Sequence, residues 1–499
     1  MSPAPTPHVS TLIVGSGFSG LGMAIRLKQD GQDDFLVLER AEGLGGTWRD
    51  NTYPGCACDV ESHLYSFSFA PNPHWTRMYS HQPEILAYLE AVAERYGLGP
   101  HLRFGHAVRE AAWDDGAGVW RVETSQGPFT ADTLVAGFGA LSEPAEPNVP
   151  GLGAFEGPVF HSARWNHGVD LTGKRVAVIG TGASAIQFVP AIQPKAGRLT
   201  LFQRTPPWIM PRHDRPISPL ERLAFQAFPP AQAVARGLIY AYRELYVFGF
   251  RDPKVMAVAQ TIARAHLAAQ VRDPALRAKL TPDYAMGCKR ILLSNDYYPA
   301  LTRPNVEVVT DRIDAVTPTG VVTADGTDHP AEVIILGTGF KATDPPFARH
   351  VRGRDGRTLA ETWAGSPKAH AGTTVAGFPN LFLLFGPNTG LGHTSVVLML
   401  ESQLEHVMAA LRHLRRRGAQ TIEPRAEAQA AYVAGVDRMM DGTVWTAGGC
   451  RSWYLDESGR NSTLWPGFTA AFGRQVGHFD PADYALGDRA RGPVAGSAR

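Results

Sequence analysis

This chain of 499 residues predicts an α/β fold of two Rossmann-like dinucleotide-binding domains with a helical insertion. Two glycine loops carry that prediction: GSGFSG at 15–20 and GTGASA at 180–185. Each follows a short apolar, β-branched run and opens a helical stretch, and each is followed at the same spacing by a charged residue, Glu39 after the first and Arg204 after the second. Glycines let the backbone approach a pyrophosphate, and the helix N-terminus behind them offers free amides and partial positive charge. The charged residue at the end of the second strand meets the ribose, where a carboxylate accepts from free hydroxyls and an arginine suits a 2′-phosphate. Gly15, Gly17 and Gly20 are therefore expected at one dinucleotide, and Thr181, Gly182, Ala183 and Ser184 at a different one.

The elements follow in order from periodicity and turn residues. Strand 10–14, helix 21–28 and strand 35–38 make the first βαβ unit, and strand 133–136 closes its domain at Gly137-Phe138-Gly139. A proline-rich run at 143–151 reads as a linker. Strand 175–179, helix 183–192 and strand 199–202 make the second unit. Residues 216–285, rich in Ala, Leu and Arg at helical spacing, read as the insertion. Strands 305–309 and 333–336 restore the β pattern, and strand 381–385 and helix 395–414 complete the chain. The expected division is 1–145 and 341–485 for the first dinucleotide domain, 146–215 and 286–340 for the second, 216–285 for the insertion, and 486–499 for a disordered tail.

Basic residues number 48 and acidic ones 47, so charge suggests no nucleic-acid partner. The opening MSPAPTPHV lacks the basic and apolar regions of a signal peptide, and no run is long and apolar enough to span a membrane. Residues 236–251 are aromatic and apolar but carry Arg243 and Glu244, and read as a buried or cleft-lining helix, not as membrane contact. Four cysteines, Cys56, Cys58, Cys288 and Cys450, are too few and scattered for a disulfide framework, which fits a cytoplasmic protein. The one-residue spacing of Cys56 and Cys58 makes no redox pair, and no metal-ligand cluster is evident.

Between the glycine loops lies Phe155-Glu156-Gly157-Pro158-Val159-Phe160-His161-Ser162-Ala163-Arg164-Trp165-Asn166. It resembles the FxGxxxHxxxW fingerprint of type I Baeyer-Villiger monooxygenases, with Phe155, Gly157, His161 and Trp165 in place and Asn166 departing from the usual Pro or Asp. A second family pattern, GGxWxxxxYPGxxxD, is matched by Gly45, Gly46, Trp48, Tyr53, Pro54, Gly55 and Asp59. With GCKR at 287–290, GTGF at 337–340, GPNTGLGH at 386–393 and SWY at 452–454, the resemblance covers nearly the whole chain.

The resemblance implies FAD in the Glu39 unit and NADPH in the Arg204 unit. It implies a peroxide formed from dioxygen on the reduced flavin, which attacks a ketone to give an ester or lactone. It places Arg290 as the cation that stabilises this anion, Asp59 as its orienting partner, and Lys289 with Arg204 and Thr205 at the 2′-phosphate. Arg40, Gly46, Thr47, Trp48, Tyr65, Val108, Gln187, Val396 and Trp453 complete the expected cofactor contacts, and Arg451 reads as structural. A cation suits this role because arginine stays protonated and acts more strongly as dielectric falls. His161 reads as a conformational residue on the interdomain linker, and His393 either approaches the flavin or caps a helix. N- or S-oxygenation of soft nucleophiles and electron transfer to a protein partner remain the alternatives. Substrate identity is open, and a monomer or weak homodimer is expected.

Overall fold

The computed structural model describes residues 6–450 and 452–487. Strand His8–Val14 lies parallel to Phe35–Leu38 on one side and to Gly127–Ala136 on the other. Leu12, Ile13 and Val37 are fully buried, as expected of a parallel core covered on both faces. Antiparallel strands Val108–Asp114 and Val119–Thr124 widen this sheet, and Leu381–Leu383 returns from far down the chain to pair with Gly127–Ala136. Helix Phe18–Gln29 packs on it against helix Val396–Arg417, and Gly22 is what lets them close: a Cβ there would stand 2.9 Å from Leu404 and 3.1 Å from Phe67.

The second sheet is five-stranded and wholly parallel, in the order Val306–Val309, Arg198–Phe202, Arg175–Ile179, Val333–Leu336, Val159–His161. The predicted pair of Rossmann-like sheets is thus present, joined by helices Pro219–Ala227, Pro229–Glu244, Tyr246–Arg251, Pro253–Gln270 and Pro274–Lys279 in the insertion.

Several expectations need correction. The fingerprint segment is not a free linker: its residues Val159–His161 hydrogen-bond as an edge strand beside Val333–Leu336. Gly157 explains the close approach, since a Cβ there would lie 2.3 Å from the Glu332 carbonyl oxygen. Residues 236–251 are not simply buried, because Leu238 is 68% exposed and Leu245 61% exposed. Residues 486 and 487 do not belong to a disordered tail, since strand Tyr484–Gly487 pairs with Thr421–Pro424. The rest of that tail, and Arg451, lie outside the described residues.

Candidate active site

Both glycine loops are shaped by backbone that comes within contact distance. Gly15 has φ +96°, and a Cβ on it would meet the Gly137 carbonyl oxygen at 2.7 Å; Gly180 has φ +110° and would meet that of Gly337 at 2.4 Å. Gly137 and Gly337 end the closing strand of each unit and so perform the same job twice. Helices Phe18–Gln29 and Ala185–Ile192 begin at these loops with no capping side chain and no acid in the first turn. Their leading amides are therefore available to an anion, and Gly17 and Gly182, whose added Cβ would meet nothing closer than 3.7 and 3.9 Å, leave open space in front of them. Two pyrophosphates fit.

Around the first loop, Glu39 is buried and accepts from the Ser16 amide and hydroxyl at 3.0 and 2.7 Å, with Arg49 at 3.1 Å. Arg40 is exposed, donates to the Ser142 carbonyl at 2.9 Å and pairs with Glu143. Gly46, at φ 52°, precedes the short helix Thr47–Asp50, which carries Trp48. The Trp48 indole donates to the Tyr65 hydroxyl at 3.1 Å, fixing the two aromatic rings edge to face. Val108 opens its strand, and Val396 opens helix Val396–Arg417.

Around the second loop, the Thr181 hydroxyl donates to the Thr205 carbonyl at 3.1 Å. Lys289 has a depressed pKa, from burial first and the nearby Arg204 charge second. The Lys289 ammonium also lies over the Tyr284 ring at 4.8 Å. Two cations held together in this way suit a dianionic phosphate, which would relieve their repulsion. We expect Arg204→Ala to raise the KM for NADPH roughly tenfold or more while leaving that for NADH nearly unchanged, by steady-state oxidation of each.

The two units meet where Asp59 and Arg290 pair. Nε of Arg290 donates to Asp59 Oδ2 at 2.8 Å, and Nη2 reaches the same oxygen at 2.7 Å. Burial opposes ionisation of Asp59, but the guanidinium outweighs it and holds the carboxyl below its ordinary range; Asp59 in turn raises the pKa of Arg290. Each side chain keeps about a third of its surface open, 32% for Arg290 and 29% for Asp59. Gln187, on the helix of the second unit, accepts from the Ala57 amide at 2.8 Å and so stitches the same boundary. Trp165 packs between Phe160 and Phe188 at 5.2 and 5.4 Å, beneath that helix, and the buried Phe155 belongs to the core of the second sheet. His161 Nδ1 accepts from the Ala163 amide, and burial lowers the pKa of the ring.

Sequence reasoning misses three features here. Cys288 and Cys450 form a disulfide, contrary to the reading of scattered thiols; a separation of 162 residues gives no pairing signal. The bridge joins the loop bearing Lys289 and Arg290 to the segment leading to Trp453. Tyr454 lies fully buried beside Arg290, with its hydroxyl pushed up to about 12 by burial against the opposing guanidinium charge. Trp453 is 42% exposed and packs on Tyr454 at 4.4 Å. Finally, His393 caps nothing: Ser395 caps the helix by accepting from the Val397 amide, and His393 sits buried 3.6 Å from Glu244 of the insertion. Cys56 and Cys58 are buried, and burial raises both thiol pKa values.

A carboxylate-backed cradle, a two-cation cradle and an arginine at their junction define a flavin monooxygenase that uses NADPH. Residues 12–228 match the pyridine nucleotide-disulphide oxidoreductase family. The chain is 55% identical to a Baeyer-Villiger monooxygenase of Streptomyces coelicolor, over 96% of this chain and 93% of that one. It is 52% identical to another of Pseudomonas aeruginosa, over 97% and 94%. The structure of cyclohexanone monooxygenase from Rhodococcus sp. Phi1 bound to NADP+ superposes with a TM-score of 0.86 at 30% identity, covering 97% of this chain and all of that one. The chain belongs to the Baeyer-Villiger monooxygenase family. No helix among the described residues is long and apolar enough to cross a membrane.

Proposed function

We propose that the enzyme inserts one atom of dioxygen beside the carbonyl of a ketone, giving an ester or lactone, with Arg290 as the cation that stabilises the attacking oxygen anion. The observation that carries this reading is the Asp59–Arg290 pair at the junction of the two cradles. When bound, FAD would supply the reducible ring that activates dioxygen, and NADPH would supply the electrons. The first loop and the amides of helix Phe18–Gln29 would hold FAD, with Trp48 and Tyr65 as aromatic contacts and Glu39 at the end of the second strand. The second loop, Arg204 and Lys289 would hold NADPH.

Arg290 acts as a fixed charge, because its proton is not lost at working pH. It favours an oxygen nucleophile that stays deprotonated and then stabilises the negative charge that develops on the carbonyl oxygen. Asp59 keeps the guanidinium from swinging to solvent, and Tyr454 closes its buried side. Trp453, half-exposed beside Tyr454, stands at the edge where nicotinamide and substrate would enter.

The test is a panel of cyclic, linear and aryl ketones given to the purified yellow protein with NADPH. Faster NADPH oxidation and an ester carrying one label from ¹⁸O₂ are the expected results. Oxidation of an offered amine or sulfide with every ketone untouched would replace this reading with soft-nucleophile oxygenation.

A further inference from the structure

The insertion turns an apolar face outward. On helix Pro229–Glu244 and its C-cap, Val234, Leu238, Tyr242 and Leu245 are 62%, 68%, 53% and 61% exposed. Their spacing puts them on one stripe of the helix. On helix Pro253–Gln270, Val255, Val258 and Ile262 form a second stripe, 47%, 67% and 48% exposed, and Phe248 between the two helices is 52% exposed. Scattered apolar residues on a surface need no explanation, but repeated stripes of this kind mark an interaction face.

Charge on the same segment is one-sided. Between 219 and 270 the carboxylates are Glu221, Glu244 and Asp252, and all are engaged. Glu221 is held by Arg215, Glu244 is buried against the Ala470 amide and His393, and Asp252 caps its helix through the Lys254 amide. Arg251 and Lys254 are exposed, and among the described residues neither makes a hydrogen bond or ion pair with another side chain through its charged group. The face is therefore apolar and carries two unpaired cations beside one exposed carboxylate, Asp252, which is held by a backbone amide.

The inner side of the same segment reaches the candidate active site. Val247 and Phe250 of helix Tyr246–Arg251 are buried, and Phe250 stacks on Trp445 at 5.0 Å. A Cβ on Gly287, three residues before Arg290, would stand 3.1 Å from the Phe250 ring.

We propose that the outer face of the insertion seats the enzyme on an anionic lipid surface. The apolar stripes enter the boundary between headgroups and acyl chains, and Arg251 and Lys254 meet lipid phosphates. Spanning is excluded for these helices, which are too short or too polar to cross and are interrupted by Pro219, Pro229 and Pro253. A second copy of the chain suits the face less well, since it would bring two cations toward two like cations with Asp252 as the one carboxylate of the segment left to receive them.

The experiment is co-sedimentation of the full-length, FAD-loaded protein with phosphatidylcholine vesicles, with and without phosphatidylglycerol, beside light scattering of the protein alone. Binding to the anionic vesicles that weakens with salt is the expected result. Arg251→Gln should lower the partition about fivefold, and Leu238→Glu should abolish it, with flavin content, melting temperature and NADPH oxidation retained in both. Absence of sedimentation with anionic vesicles, or an unchanged partition for Arg251→Gln, overturns the proposal, and the latter outcome stands even if Leu238→Glu fails to fold. A dimer that Leu238→Glu dissociates overturns it too, and assigns the face to a second copy.

Discussion

Arg290→Ala is expected to reduce its flavin with NADPH at close to the normal rate and to make ester at least about 10²–10³-fold more slowly. The two glycine loops, Glu39, Arg204 and Lys289 are unchanged in this variant, so the electron-accepting step retains these binding residues. The oxygen-transfer step loses the guanidinium that pairs with Asp59 at the junction. Asp59 is then left without the guanidinium that holds its ionised form, and burial shifts its pKa upward. Oxygen that is activated but not transferred should leave as hydrogen peroxide. Measuring NADPH consumed, peroxide released and ester formed in one reaction separates these steps, and ester at the wild-type rate would remove Arg290 from the mechanism. Arg290→Lys should rescue little, because a single ammonium cannot reproduce the contacts that Nε and Nη2 both make to Asp59 Oδ2.

Gly20→Ala should give protein that is colourless or unfolded. A Cβ at this position would stand 1.8 Å from the Gly15 carbonyl oxygen, and the obstacle is backbone, which cannot rotate aside as a side chain does. Either the loop opens, losing the FAD cradle, or the helix shifts off the sheet, at a cost of about 3 kcal/mol or more. Gly182→Ala is the contrast. Its Cβ meets no protein atom closer than 3.9 Å, so the fold and flavin should be retained while the alanine fills space before the second helix and raises the KM for NADPH. Flavin absorbance per mole of protein, circular dichroism and NADPH kinetics read the two cases apart. A yellow, fully active Gly20→Ala protein would contradict this account of the first loop.

The strands 35–38, 175–179 and 333–336 are legible in the sequence to the residue, because each is a short apolar β-branched run whose ends are marked by turn residues or charge. The hairpin Val108–Asp114 and Val119–Thr124 is harder to see, since exposed Arg109, Glu110, Arg121 and Glu123 dilute the apolar pattern. Glycine loops are legible because their function constrains the backbone itself. The Asp59–Arg290 contact is different: its partners are 231 positions apart and on different units, so only the resemblance to a family points to them. Burial in the insertion is misread for a related reason. Leu238 and Phe250 are equally apolar, and only the packing of the helices decides that one faces out and the other in.

The Cys288–Cys450 bridge closes a ring of chain, and that ring threads both sheets. Between its ends lie Val306–Val309 and Val333–Leu336 of the second sheet, then Val351–Arg352 and Leu381–Leu383 of the first. The closed ring ties the loop that carries Lys289 and Arg290 to the segment that leads to Trp453 and Tyr454, so the anion-stabilising cation and the aromatic edge of the site are held together as one unit.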